Sequence, residues 1–360
     1  MIKYNFINNP NKKIKKISIN YAGRSGSFFL HNLLEGHEKI ITLQNEYDRY
    51  LYNLAKTFFL SNQDLDNYSC FLKKNLKENI NEHLKIYNSS KFFYDLDKIC
   101  NEIEDMVSKI KHRVIKKNFD LLLDIFYISH CHLNQRYIDN KDYYILIQTH
   151  TPFNEKDYLF FINNLNIHTL FLMLRDPVKA IDSHFFHHSF ESINHSPTLL
   201  VDLLSSFKES FLSIHLENLK KKVFIVSYEN LHNETFLEID RICKRLNIKV
   251  DDILFKETIG RNKLTKEFIS NREVISGFRK VVVPESLKIL KDYEIELIEI
   301  LFEDIIKKFN YKFRSTKQLT YFKSVIKFIY YNFVKNLSFK HLMFCLIKIS
   351  VIRNTKYNIQ

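Results

Sequence analysis

The chain has 360 residues, with 54 Lys and Arg against 41 Asp and Glu for a formal charge of +13. Its 45% hydrophobic content is enough to bury a core and excludes wholesale disorder. No apolar run reaches the roughly 18 residues of a membrane-spanning helix, and Met1 to Lys16 is Asn/Lys-rich without the apolar stretch of a secretory signal. The five cysteines, Cys70, Cys100, Cys131, Cys243 and Cys345, lie far apart, which excludes a C-x-x-C zinc site and argues against a disulfide framework. A cytoplasmic, reducing location is the expectation. The lysines are spread along the chain, and there is no RNP motif, zinc finger or basic-region heptad, so no nucleic-acid partner is expected.

In chain order, Ile14 to Tyr21 (IKKISINY) reads as a strand that runs into Gly23, and Ser27 to Leu34 (SFFLHNLL) has helical apolar spacing. From about 50 to 140 the pattern is long, charged, helical and free of proline. Tyr143 to Ile147, His168 to Leu174 and Val223 to Val226 are short apolar runs separated by helical segments, as buried parallel strands with helical crossovers would be. Asn233 to Leu246 reads as one amphipathic helix. The fold class is therefore α/β, a parallel sheet flanked by helices, with a helical insertion at about 50–140 inside a unit spanning 1–314. Residues 315–360, rich in Phe, Tyr, Ile and Lys, form a basic amphipathic helical tail. Such a tail packs on the main unit or on a partner subunit, or lies on an anionic membrane as a peripheral contact.

Glycine scarcity sharpens the motif reading. A chain of this length would carry about 25 glycines at ~7% usage, and this one has 5. Two of them fall in Gly23-Arg24-Ser25-Gly26-Ser27, between the first strand and the first long helix. A strand feeding a turn that opens a helix gathers backbone N–H groups at the positive end of the helix dipole, which suits an anion. Gly23 and Gly26 let the backbone curl around it, and Arg24, Ser25 and Ser27 add donors. The G-x-x-x-x-G-K-[ST] spacing of an ordinary ATPase loop is absent.

Two further windows follow strands. Arg175 leaves a strand end, Pro177 suits the first turn of a helix, and Ser183 comes about two turns along it, so both side chains can reach one phosphate. Gln148-Thr149-His150-Thr151-Pro152 puts a histidine at a strand's carboxyl end, where α/β active sites gather. His184 and His188 stand i,i+4 on a helix, but no carboxylate completes an H-E-x-x-H arrangement, so no metal is expected.

Taken together, these windows resemble the PAPS-dependent sulfotransferase family, in particular its bacterial members. Residues 23–30, Gly23 to Leu30, look like that family's 5′-phosphosulfate loop. Phe28 stands where a second hydroxyl residue is commoner, although its backbone N–H remains available there. Arg175 and Ser183 match the 3′-phosphate motif, and Gln148 to Pro152 matches the segment carrying the general base, with Gln148 in place of the family's Lys. Ser227 to Leu231 and Phe255 to Thr258 are weaker matches, the latter followed by Gly277 to Lys280.

The resemblance implies a P-loop NTPase-like sulfotransferase fold with PAPS as co-substrate and no metal. It implies catalytic roles for His150 and Arg24, with Glu46 as the reserve base. It further implies nucleotide contacts from Gly23, Arg24, Ser25, Gly26, Ser27, Phe28, Arg175, Ser183 and Thr258, with Arg272 and Arg279 less directly indicated. The acceptor would be a hydroxyl or amine of a glycan, a lipid-linked sugar or a small metabolite. Two rival readings stay open: a P-loop phosphotransferase using ATP and Mg²⁺, and a non-catalytic anion- or nucleic-acid-binding module on the same fold.

Overall fold

The computed structural model describes residues 2–21, 26–43, 47–75, 96–133, 143–148, 155–189, 197–210, 221–256, 258–259, 262–263, 287, 289–315, 321–333 and 339–354. In chain order the elements are α1 (Ile2–Asn8), β1 (Lys15–Tyr21), α2 (Ser27–Glu35), β2 (Ile40–Thr42), α3 (Tyr47–Leu60), α4 (Leu96–Ile110), α5 (Phe119–Leu133), β3 (Tyr144–Gln148) and α6 (Glu155–Asn164). There follow β4 (Ile167–Leu174), α7 (Pro177–Ser189), α8 (Pro197–Ser210), β5 (Val223–Ser227), α9 (Tyr228–Asn233) and α10 (Thr235–Leu246). A small hairpin of β6 (Thr258–Ile259) and β7 (Asn262–Lys263) comes next. The remaining helices are α11 (Asp292–Leu301), α12 (Glu303–Lys308), α13 (Tyr321–Phe333) and α14 (Phe339–Asn354).

Strands β1 to β5 form one sheet in the order β2-β3-β1-β4-β5, every pairing parallel. The expected α/β class is thus observed. Parallel pairing requires each connection to cross back over the sheet, so all five carboxyl ends lie along one edge. The chain fills the β2–β3 side of β1 first and then crosses to the β4–β5 side. That makes the carboxyl end of β1 a topological switch point, where α/β sheets open a crevice.

Alternating side chains along these buried strands feed three cores. Ile17, Ile19, Tyr144, Leu146, Phe171, Met173 and Val226 face α2 and α10 on one side of the sheet. On the opposite side Ile145, Ile147 and Leu170 pack with α1, α3, α4, α5 and α6. Leu172 and Leu174 pack there with α7, α8 and the helices from α11 onward. The described helices between β2 and β3 are therefore part of a sheet-covering layer. All five cysteines are described, and none forms a disulfide.

Two local differences from the sequence reading have simple causes. Strand β2 was not expected, because three residues are too few to show a period, and it owes its place to pairing Ile40–Thr42 with Tyr144–Leu146. The single helix read over Asn233 to Leu246 begins earlier and breaks at Glu234, whose φ of −126° and ψ of 41° lie outside the helical region. Ser227 caps the first piece by accepting the Asn230 N–H at 3.2 Å.

Candidate active site

The candidate site lies at the carboxyl edge of the sheet, where the described residues Gly26, Gln148, Arg175 and Tyr228 are found. Gly26, the residue just before α2, has a φ of +88°, a left-handed conformation that favours glycine. A β-carbon there would also lie 2.4 Å from Cδ2 of Tyr228, so the position is closed to other side chains twice over. The Gly26 carbonyl accepts the Leu30 N–H at 3.1 Å, the first bond of the α2 ladder. The amides of the opening turn thus precede the i→i−4 pattern and point out of the helix end. Ser27 is buried beneath that turn, and its hydroxyl accepts from Gln148 Nε2 at 3.3 Å across to β3. Phe28 is exposed.

Tyr228, the first residue of α9, links this turn to the end of β4. The Arg175 guanidinium lies over its ring at 4.5 Å from the centroid, while the same ring fills the space beside Gly26. Stacking uses the face of the guanidinium, and its N–H donors lie in the plane. His232 completes the contact, meeting Tyr228 edge-on at 4.5 Å and stacking on Phe29 of α2 at 4.4 Å. An aromatic column thereby ties α2 to α9.

A polar network fixes the segment after Arg175. The carboxylate of Asp176 caps α7, accepting from the Val178 N–H at 3.0 Å and the Lys179 N–H at 3.4 Å, with Pro177 in the first helical position. Arg314 grips the same carboxylate with two bonds of 2.6 and 3.3 Å. Glu229 accepts the Asp176 N–H at 3.1 Å and the Tyr311 hydroxyl at 3.0 Å. Burial pushes the Glu229 carboxyl above the usual carboxylate range, opposed by those hydrogen bonds and by the Arg175 charge. Farther along α7, Asp182 accepts the Ile289 and Leu290 N–H groups at 2.9 and 3.1 Å, which docks the approach to α11.

The structure therefore brings Gly26, Ser27, Gln148 and Arg175 to one edge of the sheet, with Tyr228 between the first turn and Arg175. Ser183 lies two turns into α7, half-buried. Thr258 is in β6, and only its backbone is described. Gly23, Arg24, Ser25, Glu46, His150, Arg272 and Arg279 lie outside the described residues. Tyr228 fell within the weaker Ser227–Leu231 match without a role of its own, and Tyr311 and Arg314 were not singled out from sequence. Asp176 carried a local signal, an acidic residue before a proline that opens a helix. Arg314 carried none, since its partner is 138 residues away.

No family model matches the chain, and no curated protein matches it. Among solved structures, it is similar to the sulfotransferase domain of the Synechococcus PCC 7002 olefin synthase, at 14% identity and a TM-score of 0.45, over 84% of this chain and 98% of that one. It is also similar to the sulfotransferase domain of the curacin biosynthetic pathway, at 12% identity and a TM-score of 0.43, over 83% and 98%. A Mycobacterium avium sulfotransferase matches at 9% identity and a TM-score of 0.38, over 87% and 82%. All three are sulfotransferases. Among the described residues there is no group of three or more His, Cys, Asp or Glu side chains able to hold a metal ion.

Proposed function

We propose that the chain is a sulfotransferase that moves a sulfuryl group from PAPS to an acceptor hydroxyl or amine. The observation that supports this reading best is the shared Tyr228 ring. Gly26, at the start of α2, packs against it, and Arg175, from the end of β4, stacks on it. Two windows read as anion sites, far apart in sequence, are thus neighbours across one side chain, which suits a nucleotide with separate 5′ and 3′ anionic ends.

In this reading the α2 amides and Arg24 hold the 5′-phosphosulfate, and Arg175 with Ser183 holds the 3′-phosphate. The acceptor oxygen or nitrogen attacks sulfur as the bond from sulfur to the bridging phosphate oxygen breaks. The acceptor proton passes to His150, and 3′,5′-ADP departs with the electron pair of the broken bond. Arg24, Ser27 and the loop amides stabilise the charge that develops on that leaving oxygen. Grip on the remote 3′-phosphate would serve to position the reacting group and to select PAPS over ATP.

Calorimetric unfolding with 3′,5′-ADP tests the reading. A ligand at about a hundred times its dissociation constant adds about 2.7 kcal/mol of stability, which should raise the unfolding temperature by a few degrees for wild type and much less for Arg175→Ala. No shift with the wild type, or the same shift with the variant, would contradict it. Turnover of ATP with Mg²⁺ in place of PAPS would favour the phosphotransferase reading instead.

A further inference from the structure

Charge is distributed very unevenly along the chain. Residues 305–360 contain twelve Lys and Arg and no Asp or Glu. Set against 54 and 41 for the whole chain, that leaves 42 basic and 41 acidic side chains in residues 1–304. The net positive charge belongs almost entirely to the C-terminal segment.

The same segment carries a row of exposed apolar side chains on each of its two long helices. Each helix buries one face in the core next to β4, through Val325 and Phe328 of α13 and Cys345, Ile349 and Ile352 of α14. On α13, Phe322, Ile326 and Tyr330 recur every fourth residue and are exposed, Phe322 at 71%. On α14, Met343, Ile347 and Val351 do the same, with Phe344 beside them. Residues spaced by four share one face of a helix, so each row is a stripe. Exposed Lys323 adjoins the α13 stripe, and Arg353 of α14 lies 3.8 Å from the ring of Tyr321 at the start of α13, which brings the two helices together. No described helix is long and apolar enough to cross a membrane.

We propose that α13 and α14 form a docking surface for an anionic lipid bilayer, lying in its interface while the opposite faces hold the core. Apolar and aromatic stripes flanked by cations suit the boundary between headgroups and acyl chains, and an acid-free segment is attracted to negative lipid. A second copy of the chain fits less well, because two such segments repel each other. This inference is independent of the sulfotransfer reading.

The chain has no tryptophan, which gives a clean probe. Full-length Ile326→Trp protein is mixed with vesicles of phosphatidylcholine alone, or with about one third phosphatidylglycerol, at about 0.05 and 0.5 M salt. The expected result is a blue shift of the tryptophan emission with anionic vesicles at low salt, weakened at high salt and absent with neutral vesicles. Leu60→Trp, exposed on α3, should show no shift. In sedimentation with the anionic vesicles, Phe322→Ser with Ile326→Ser should bind at least about tenfold more weakly than wild type, with an unchanged unfolding temperature. The proposal is overturned if the emission does not move, if neutral vesicles bind equally, or if the segment instead forms a dimer that those serine substitutions dissolve. Binding of duplex nucleic acid that displaces the vesicles without involving Phe322 and Ile326 would also overturn it.

Discussion

Gly26 and Tyr228 are a matched pair: the ring occupies the volume that a β-carbon at 26 would need, and the backbone there has a positive φ. Gly26→Ala therefore combines left-handed strain of about 1–3 kcal/mol with displacement of the ring on which Arg175 stacks. Urea unfolding should show that loss of stability, and the variant should bind 3′,5′-ADP poorly even where it is folded. An unchanged midpoint would mean that the turn relaxes freely, and the tie between the two windows would be loose. Gly26 was legible in the sequence because glycine is so scarce that a kept one reports a backbone need. Tyr228 lay in the weaker Ser227–Leu231 match, but its role was not legible, because an aromatic after a strand looks like any core residue until its neighbours are known.

At the level of elements, the sheet is anchored at the end opposite the site by a buried cluster. Lys16 of β1 meets Asp120 and Asp124 of α5 at 2.7 and 2.6 Å, all three almost fully buried. One cation cannot balance two carboxylates, and burial, with Asp120 adding to it against Lys16, pushes Asp124 up to about 7. The folded chain thus keeps a proton that the unfolded chain releases near pH 4. Its contribution to stability is full below about pH 4 and is lost as pH rises through about 7. Asp124→Asn, which cannot ionise, should flatten the fall in stability between pH 5 and pH 8 measured by urea unfolding; an identical slope in both proteins would refute this origin. Strand β1 could be read from β-branched residues running into Gly23, and β3, β4 and β5 from short apolar runs, because parallel strands are buried on both faces. Lys16 hid its role within the first of them, since a lysine in a strand gives no sign of distant acids.

Over the whole molecule, the order β2-β3-β1-β4-β5 converts separated stretches of sequence into one edge where Gly26, Gln148, Arg175 and Tyr228 come together. The motif windows were visible beforehand because each follows a strand. The brace behind them was not, since Arg314 and Tyr311 reach Asp176 and Glu229 from a part of the chain with no motif of its own. The central claim is that one nucleotide is held at both its 5′ and its 3′ end, and titration calorimetry addresses it directly. Wild-type protein should bind 3′,5′-ADP at least about tenfold, or about 1.4 kcal/mol, more tightly than 5′-AMP. Arg175→Ala should lose most of that preference. Equal affinities in the wild type, or an undiminished preference for the 3′-phosphate after the loss of Arg175, would contradict the account.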